Sequence, residues 1–267
     1  MFYDEARNLY ATVNAQAKKI VNNYKKVSAD PYLNVMDHEV DESTVVQKFD
    51  LGTMEIPVRQ IVGVTSTDPD MQYTYNFKPL AQEDSEFAGT WCQLYLDYLS
   101  VRGLREPISC IEYMGRFYVV DGKKRVSVLK AHGENRVLAN VIRWVPAYSG
   151  SIAVKQYYEF MKCFNKTGLY QVSLSDAKDF AYLQKEMGLT PEQVWTEMDQ
   201  FHFLFTFVSV ESAYLKIVGE YASVTAADTF VALLKQYGFS QVRAMQPWDL
   251  EEAIAEVLNL DPAESVA

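Results

Sequence analysis

Residues 4–27 repeat apolar side chains at near-helical spacing, at Leu9, Val13, Ile20, Val21 and Tyr24, with acids leading and lysines trailing, the order a helix dipole favours. The spacing predicts a helix, ended by Ser28-Ala29-Asp30-Pro31. Residues 32–50 are mixed and acidic, and no regular element is expected there. MEIPVRQIVGV predicts a strand, with Pro57 placing it at an element start or a sheet edge. TSTDPDMQYTYNFKPL carries enough turn residues to predict a long loop. Phe87, Trp91, Leu94, Tyr95, Tyr98 and Leu99 predict a helix over 83–100.

A dense β-β-α-β block follows. PISCIEYM reads as a strand, Gly115-Arg116 as a tight turn, and FYVVD as a second strand. KKRVSVLKAHG reads as a helix closed by its glycine, and RVLANVIRWV as a third strand. Beyond Tyr148-Ser149-Gly150 only helices are predicted, at 151–166, 175–187, 191–218, 225–237 and 249–258, with Thr190 capping the third. The fold class is therefore α+β, a small mixed sheet followed by an all-helical domain. The expected divisions are 1–50 (helix and irregular segment), 51–148 (α+β domain) and 149–267 (helical domain).

Composition agrees with a folded chain, 49% hydrophobic and 22% charged. No apolar run is long enough to predict a membrane span, and MFYDEARNLY lacks the pattern of a secretion signal. Cys92, Cys110 and Cys163 show no CxxC spacing, and His38, His132 and His202 are scattered. Neither a disulfide framework nor a metal site is expected, and a cytoplasmic location is.

The net charge of −10 opposes bulk attraction to nucleic acid. Its distribution is uneven. Residues 121–143 hold six Lys/Arg against Asp121 and Glu134, whereas residues 244–267 hold six acids and no Lys or Arg. So local a cationic patch suits a small anion better than a long polyanion.

The patch centres on VVDGKKRVSV. The first backbone N–H groups of a helix lack intrahelical partners, and that end of the dipole is positive, so a phosphate fits there. Gly122 permits close approach and positive φ. Lys123, Lys124 and Arg125 supply charge, Arg125 as a bidentate fork. Ser127 offers a hydroxyl, and Asp121 caps the helix or orients a cation. Three cations at a helix N-terminus oppose the dipole unless an anion answers them.

Residues 55–145 resemble the ParB/sulfiredoxin-like superfamily. The landmarks are EIPVRQIVG, then EPISCIEYMGRFYVVDGKKRVSVLKAHG, then VLANVIRW, and the resemblance is greatest to bacterial ParB-like proteins with a DGHHRVSVAxxxG motif. It implies a ParB/sulfiredoxin-like domain whose glycine-basic turn binds nucleotide phosphates, with CTP or ATP/ADP and Mg as the implied cofactors. Two departures narrow this. Lys124 stands where sulfiredoxins carry cysteine, which excludes sulfinic acid reduction in that form. The segment after the first strand, which in partition proteins supplies an arginine to the phosphates, has no Arg here and only Lys78. That counts against a partition-type CTP switch.

Partition proteins continue into a DNA-reading helix-turn-helix. SDAKDFAYLQKEMGLTPEQVWTEM resembles its opening, yet Phe201, Phe203, Leu204, Phe205, Phe207 and Val208 follow in place of a polar recognition helix. That stretch, with His202 inside it, reads as core or as a homodimer interface along 201–215. The expected function is binding of a nucleotide or other phosphate-bearing small molecule at the 122–125 turn, as a regulatory or binding module. The alternative is a nucleotide-dependent enzyme, a small-molecule kinase or hydrolase, with Glu55 or Asp121 as catalytic carboxylate and Asp68 and Asp70 behind them. A DNA-binding partition protein or nuclease is the least expected outcome, and no membrane partner is expected.

Overall fold

In α1 (Phe2–Lys26), Ala6, Tyr10, Val13 and Ala17 form one buried stripe at helical spacing. Asn14 lies on the same stripe, its amide NH2 donating to the carbonyls of Pro79 and Ala81, each at 2.9 Å, while its Oδ1 is buried and accepts no hydrogen bond from the described residues. The computed structural model describes residues 2–67, 72–100, 106–170, 172, 174–176, 178–190, 192–218 and 224–260. The chain divides into two compact units, Met1–Ala147 and Tyr148–Ala267.

Among its described residues the first unit holds six strands: β1 (Asn34–Val35), β2 (Val45–Pro57), β3 (Ile61–Val64), β4 (Ile108–Tyr113), β5 (Arg116–Asp121) and β6 (Arg136–Pro146). They form one mixed sheet in the order β1-β3-β5-β4-β6-β2. β1, β3 and β5 run parallel, as do β4 and β6, while β5 meets β4 and β2 meets β6 antiparallel. β2 and β3 lie four places apart in the sheet, about 19 Å if it were flat, yet only the turn Val58–Gln60 joins them, with a reach of about 14 Å. The sheet is therefore strongly coiled, bringing the end of β2 round toward the start of β3.

Ile108, Cys110 and Glu112 of β4 and Ala139, Val141 and Arg143 of β6 turn one face inward, where all six are buried. α3 (Glu86–Leu99) and α4 (Lys123–His132) add Trp91, Tyr95, Val126 and Leu129 to the core. Ser85 starts α3, its hydroxyl accepting from Ala88 N–H at 3.2 Å. Trp91 meets Tyr10 of α1 edge-on, ring centres 5.3 Å apart. Glu112 and Arg143 lie opposite each other in the register and form a buried ion pair, Nε to Oε2 at 2.5 Å. The second oxygen of Glu112 accepts from Gly115 N–H at 2.7 Å, closing a two-residue hairpin in which Met114 and Gly115 both have positive φ.

Residues 32–50 depart from the expected irregular segment. They contain β1, the short α2 (Met36–Glu39) and the first half of β2. Residues 45–55 of β2 bury neither face fully, so no alternation marks the strand, and its backbone is satisfied by β6, about ninety residues away. MEIPVRQIVGV is divided between two strands, with Pro57 at the break.

The second unit is helical: α5 (Ile152–Thr167), α6 (Lys178–Glu186), α7 (Glu197–Ile217), α8 (Ala226–Tyr237), α9 (Phe239–Ala244) and α10 (Pro247–Val257). Phe203 and Phe207 of α7 stack at 5.5 Å, and Phe230 of α8 meets both edge-on, forming the centre of this core. The third helix starts later than the sequence predicts. Gln193 does accept from Thr190 N–H at 2.7 Å, but the turn stops there. Buried Trp195 intervenes, and α7 begins at Thr196, which shares a capping box with Asp199.

Candidate functional site

The carboxyl ends of the parallel strands β3 and β5 lie side by side, with Val64 opposite Val119 and Thr65 N–H bonded to the Val119 carbonyl at 3.1 Å. Ligands of open sheets with parallel strands gather at such ends. β5 carries an irregularity just before it stops. Ser109 opposes Asp121 while Cys110 opposes Val119, so Val120 is the extra residue of a bulge and is 54% exposed. Gly122 follows at φ +104° as the residue preceding α4, and no side chain caps the helix there. A Cβ at Gly122 would sit 2.6 Å from Ile108 Cγ2. The glycine is thus demanded by the fold itself, through its backbone angle and through the approach of β4.

Arg125 does not project as the expected fork. Its side chain is 14% exposed, and Nη1 donates to the carbonyls of Glu106 at 2.7 Å and Pro107 at 3.1 Å while Nη2 pairs with Asp121 at 3.0 Å. The planar guanidinium ties the end of β5 to the entry of β4. Ser127 is also withdrawn. It is buried, and its oxygen accepts from the Trp91 indole N–H at 2.9 Å, on the core side of α4. Lys123 and Lys124 are half-buried in the first turn, with Lys124 Nζ 4.7 Å from the centre of the Phe87 ring. Lys130, one face of α4 further on, is taken up by the Ile61 carbonyl at 2.9 Å.

The candidate carboxylates are not assembled around the turn. Asp121 is exposed but bound to Arg125. Glu55 lies on β2 and meets Arg136 at 3.4 Å, just past the C-terminal end of α4, whereas the turn is at its N-terminal end. Asp68 and Asp70 lie outside the described residues. Of the residues singled out from the sequence, the structure brings together Asp121, Gly122, Lys123, Lys124 and Arg125, and sets Glu55 and Ser127 apart from them.

The sequence reading missed Thr65, Ser66 and Thr67, which leave β3 beside the end of β5. The available signal is three successive hydroxyl residues directly after an apolar strand, in the segment that lacks an arginine. Among the described residues, no group of His, Cys, Asp and Glu is arranged to hold a metal ion. No helix among them is long and apolar enough to cross a membrane. All three cysteines are buried, and burial pushes the Cys110 thiol up to about 12, so that group is a poor nucleophile. A cavity of about 280 Å³ beside α1, lined by Asp4, Arg7, Asn8 and Glu83 among others, includes none of the predicted site residues.

No family model matches the chain, and no curated protein does.

Proposed function

We propose that this chain binds a nucleotide or other phosphate-bearing small molecule at the start of α4, as a binding or regulatory module. The observation that carries the reading is the first turn of α4. It opens from Gly122 with no side-chain cap and no acid in its first turn, and it places Lys123 and Lys124 against the dipole. An anion accepting the first-turn N–H groups would supply the cap that Gly122 lacks. Thr65, Ser66 and Thr67, at the neighbouring strand end, supply hydroxyls for further phosphate oxygens. The resemblance of 55–145 to the ParB/sulfiredoxin-like superfamily supports the same turn. Arg125 serves as a positioning residue, holding Asp121 and the β4 entry so that the turn keeps its shape.

The separation of Glu55 from the turn and the engagement of Asp121 favour binding without catalysis. Isothermal titration against CTP, ATP, ADP and GTP with Mg, followed by product analysis, tests the reading. Saturable binding of at least one, weakened by Lys123→Glu with Lys124→Glu and unaccompanied by turnover, is expected. Absence of binding by all four would overturn it, and product formation would replace the module with an enzyme.

A further inference from the structure

α7 is apolar on two opposite faces. Phe203, Phe207, Val210 and Tyr214 face the core of the second unit. On the other side Met198, Phe201, Phe205, Val208, Ser212 and Leu215 follow a strict alternation of three and four residues, and all six are exposed. Phe201 is 61% exposed and Phe205 58%. Single exposed apolar residues are ordinary, but a seam with this period is the a/d pattern of a helix that packs on another helix.

The residues flanking the seam say which helix. Taking Met198, Phe205 and Ser212 as a positions and Phe201, Val208 and Leu215 as d positions, one flank (g) carries Glu197, Leu204 and Glu211. The other flank (e) carries His202, Ser209 and Lys216. In a parallel pair of identical helices each g residue faces the e residue five positions on in its partner. Glu197 then meets His202, Leu204 meets Ser209, and Glu211 meets Lys216. An antiparallel pair would instead set the acidic flank against itself. Lys216 already meets Glu251 of α10 at 3.0 Å and has donors for a second carboxylate.

The geometry points to a parallel, in-register homodimer in which α7 of one copy packs along its exposed seam on α7 of a second copy of this chain. The dimer does not depend on any ligand at the 122–125 turn.

Sedimentation equilibrium of the full chain across micromolar concentrations tests it. The expected mass is twice 30.5 kDa, and Phe205→Glu, on the exposed face, should raise the dissociation constant by about tenfold or more while circular dichroism and melting stay unchanged. Glu211→Lys should weaken the dimer, and Glu211→Lys with Lys216→Glu should restore it. Ser212→Cys reports the orientation. Position 212 of each copy sits at the same a layer only in the parallel register, so mild oxidation should give a cross-linked dimer. A monomer at all concentrations, or a dimer indifferent to Phe205→Glu, overturns the interface. A dimer that Ser212→Cys does not cross-link overturns the parallel register.

Discussion

The indole N–H of Trp91 donates to the hydroxyl of Ser127 at 2.9 Å in a buried contact between α3 and α4. Ser127 was expected to face a ligand, and this bond turns it into a core residue. Ser127→Ala leaves the indole without its acceptor and should cost about 1–3 kcal/mol in urea unfolding. Nucleotide affinity, measured at a temperature where the variant is folded, should be unchanged. A loss of affinity without loss of stability would return the hydroxyl to the site.

Gly122 is constrained twice. Alanine there must hold a left-handed backbone, at about 1–2 kcal/mol, and must also displace Ile108, at a further about 1–3 kcal/mol. Only the second part belongs to the contact. In a double-mutant cycle Gly122→Ala should therefore cost less in an Ile108→Ala background than in the wild type. Equal costs would show that Ile108 is not what the Cβ meets.

The Glu112–Arg143 pair is buried on the inner face of the sheet. Glu112→Leu takes the buried carboxylate from the guanidinium and should destabilise by about 3–5 kcal/mol, whereas Glu112→Leu with Arg143→Met should recover most of that loss. Thermal melting of the three variants decides it. If both Glu112→Leu and the double variant melt near the wild type, the pair contributes nothing to stability.

Tyr98 and Tyr118 contribute to alkaline stability, alongside Tyr10 and the cysteines Cys110 and Cys163, which burial also pushes up. Burial, then the hydrogen bond to Glu134, pushes the Tyr98 hydroxyl up to about 12, and burial with a bond to Glu39 does the same for Tyr118. Both values lie above the ordinary 10.0, so the folded protein holds these protons more tightly than the unfolded chain. Their contribution is intact below about pH 10 and is lost as pH rises through about 12. The urea midpoint should fall across that window, and less steeply in Tyr98→Phe with Tyr118→Phe. An equal slope in the variant would assign the loss to other groups.

The strand–turn–helix block from 108 to 146 was legible because its local signals agree. PISCIEYM and FYVVD are rich in strand-forming residues on either side of Gly115-Arg116, and the Asp-Gly pair stops β5 where α4 starts, although the burial of Glu112 has no apolar signature. β2 was not, because an edge strand paired to β6 needs little burial of its own, and its stabilising partner is distant in sequence. The charges around Gly122 were legible as residue types but not as roles. What Arg125 binds depends on carbonyls of the β4 entry, and what Ser127 binds depends on Trp91, neither of which has any local signature. Thr190 and Thr196 are chemically equal caps. Thr196 starts α7 because Asp199 reciprocates its bond at the edge of a continuous buried stripe.

Amide chemical shifts measured during titration with pyrophosphate test the anion site at the start of α4 most directly. The backbone N–H resonances of residues 122–125 should move saturably, with smaller movements at Thr65, Ser66 and Thr67, and Lys123→Glu with Lys124→Glu should abolish them. Unmoved amides at 122–125, under conditions where pyrophosphate binds elsewhere or not at all, would contradict the account.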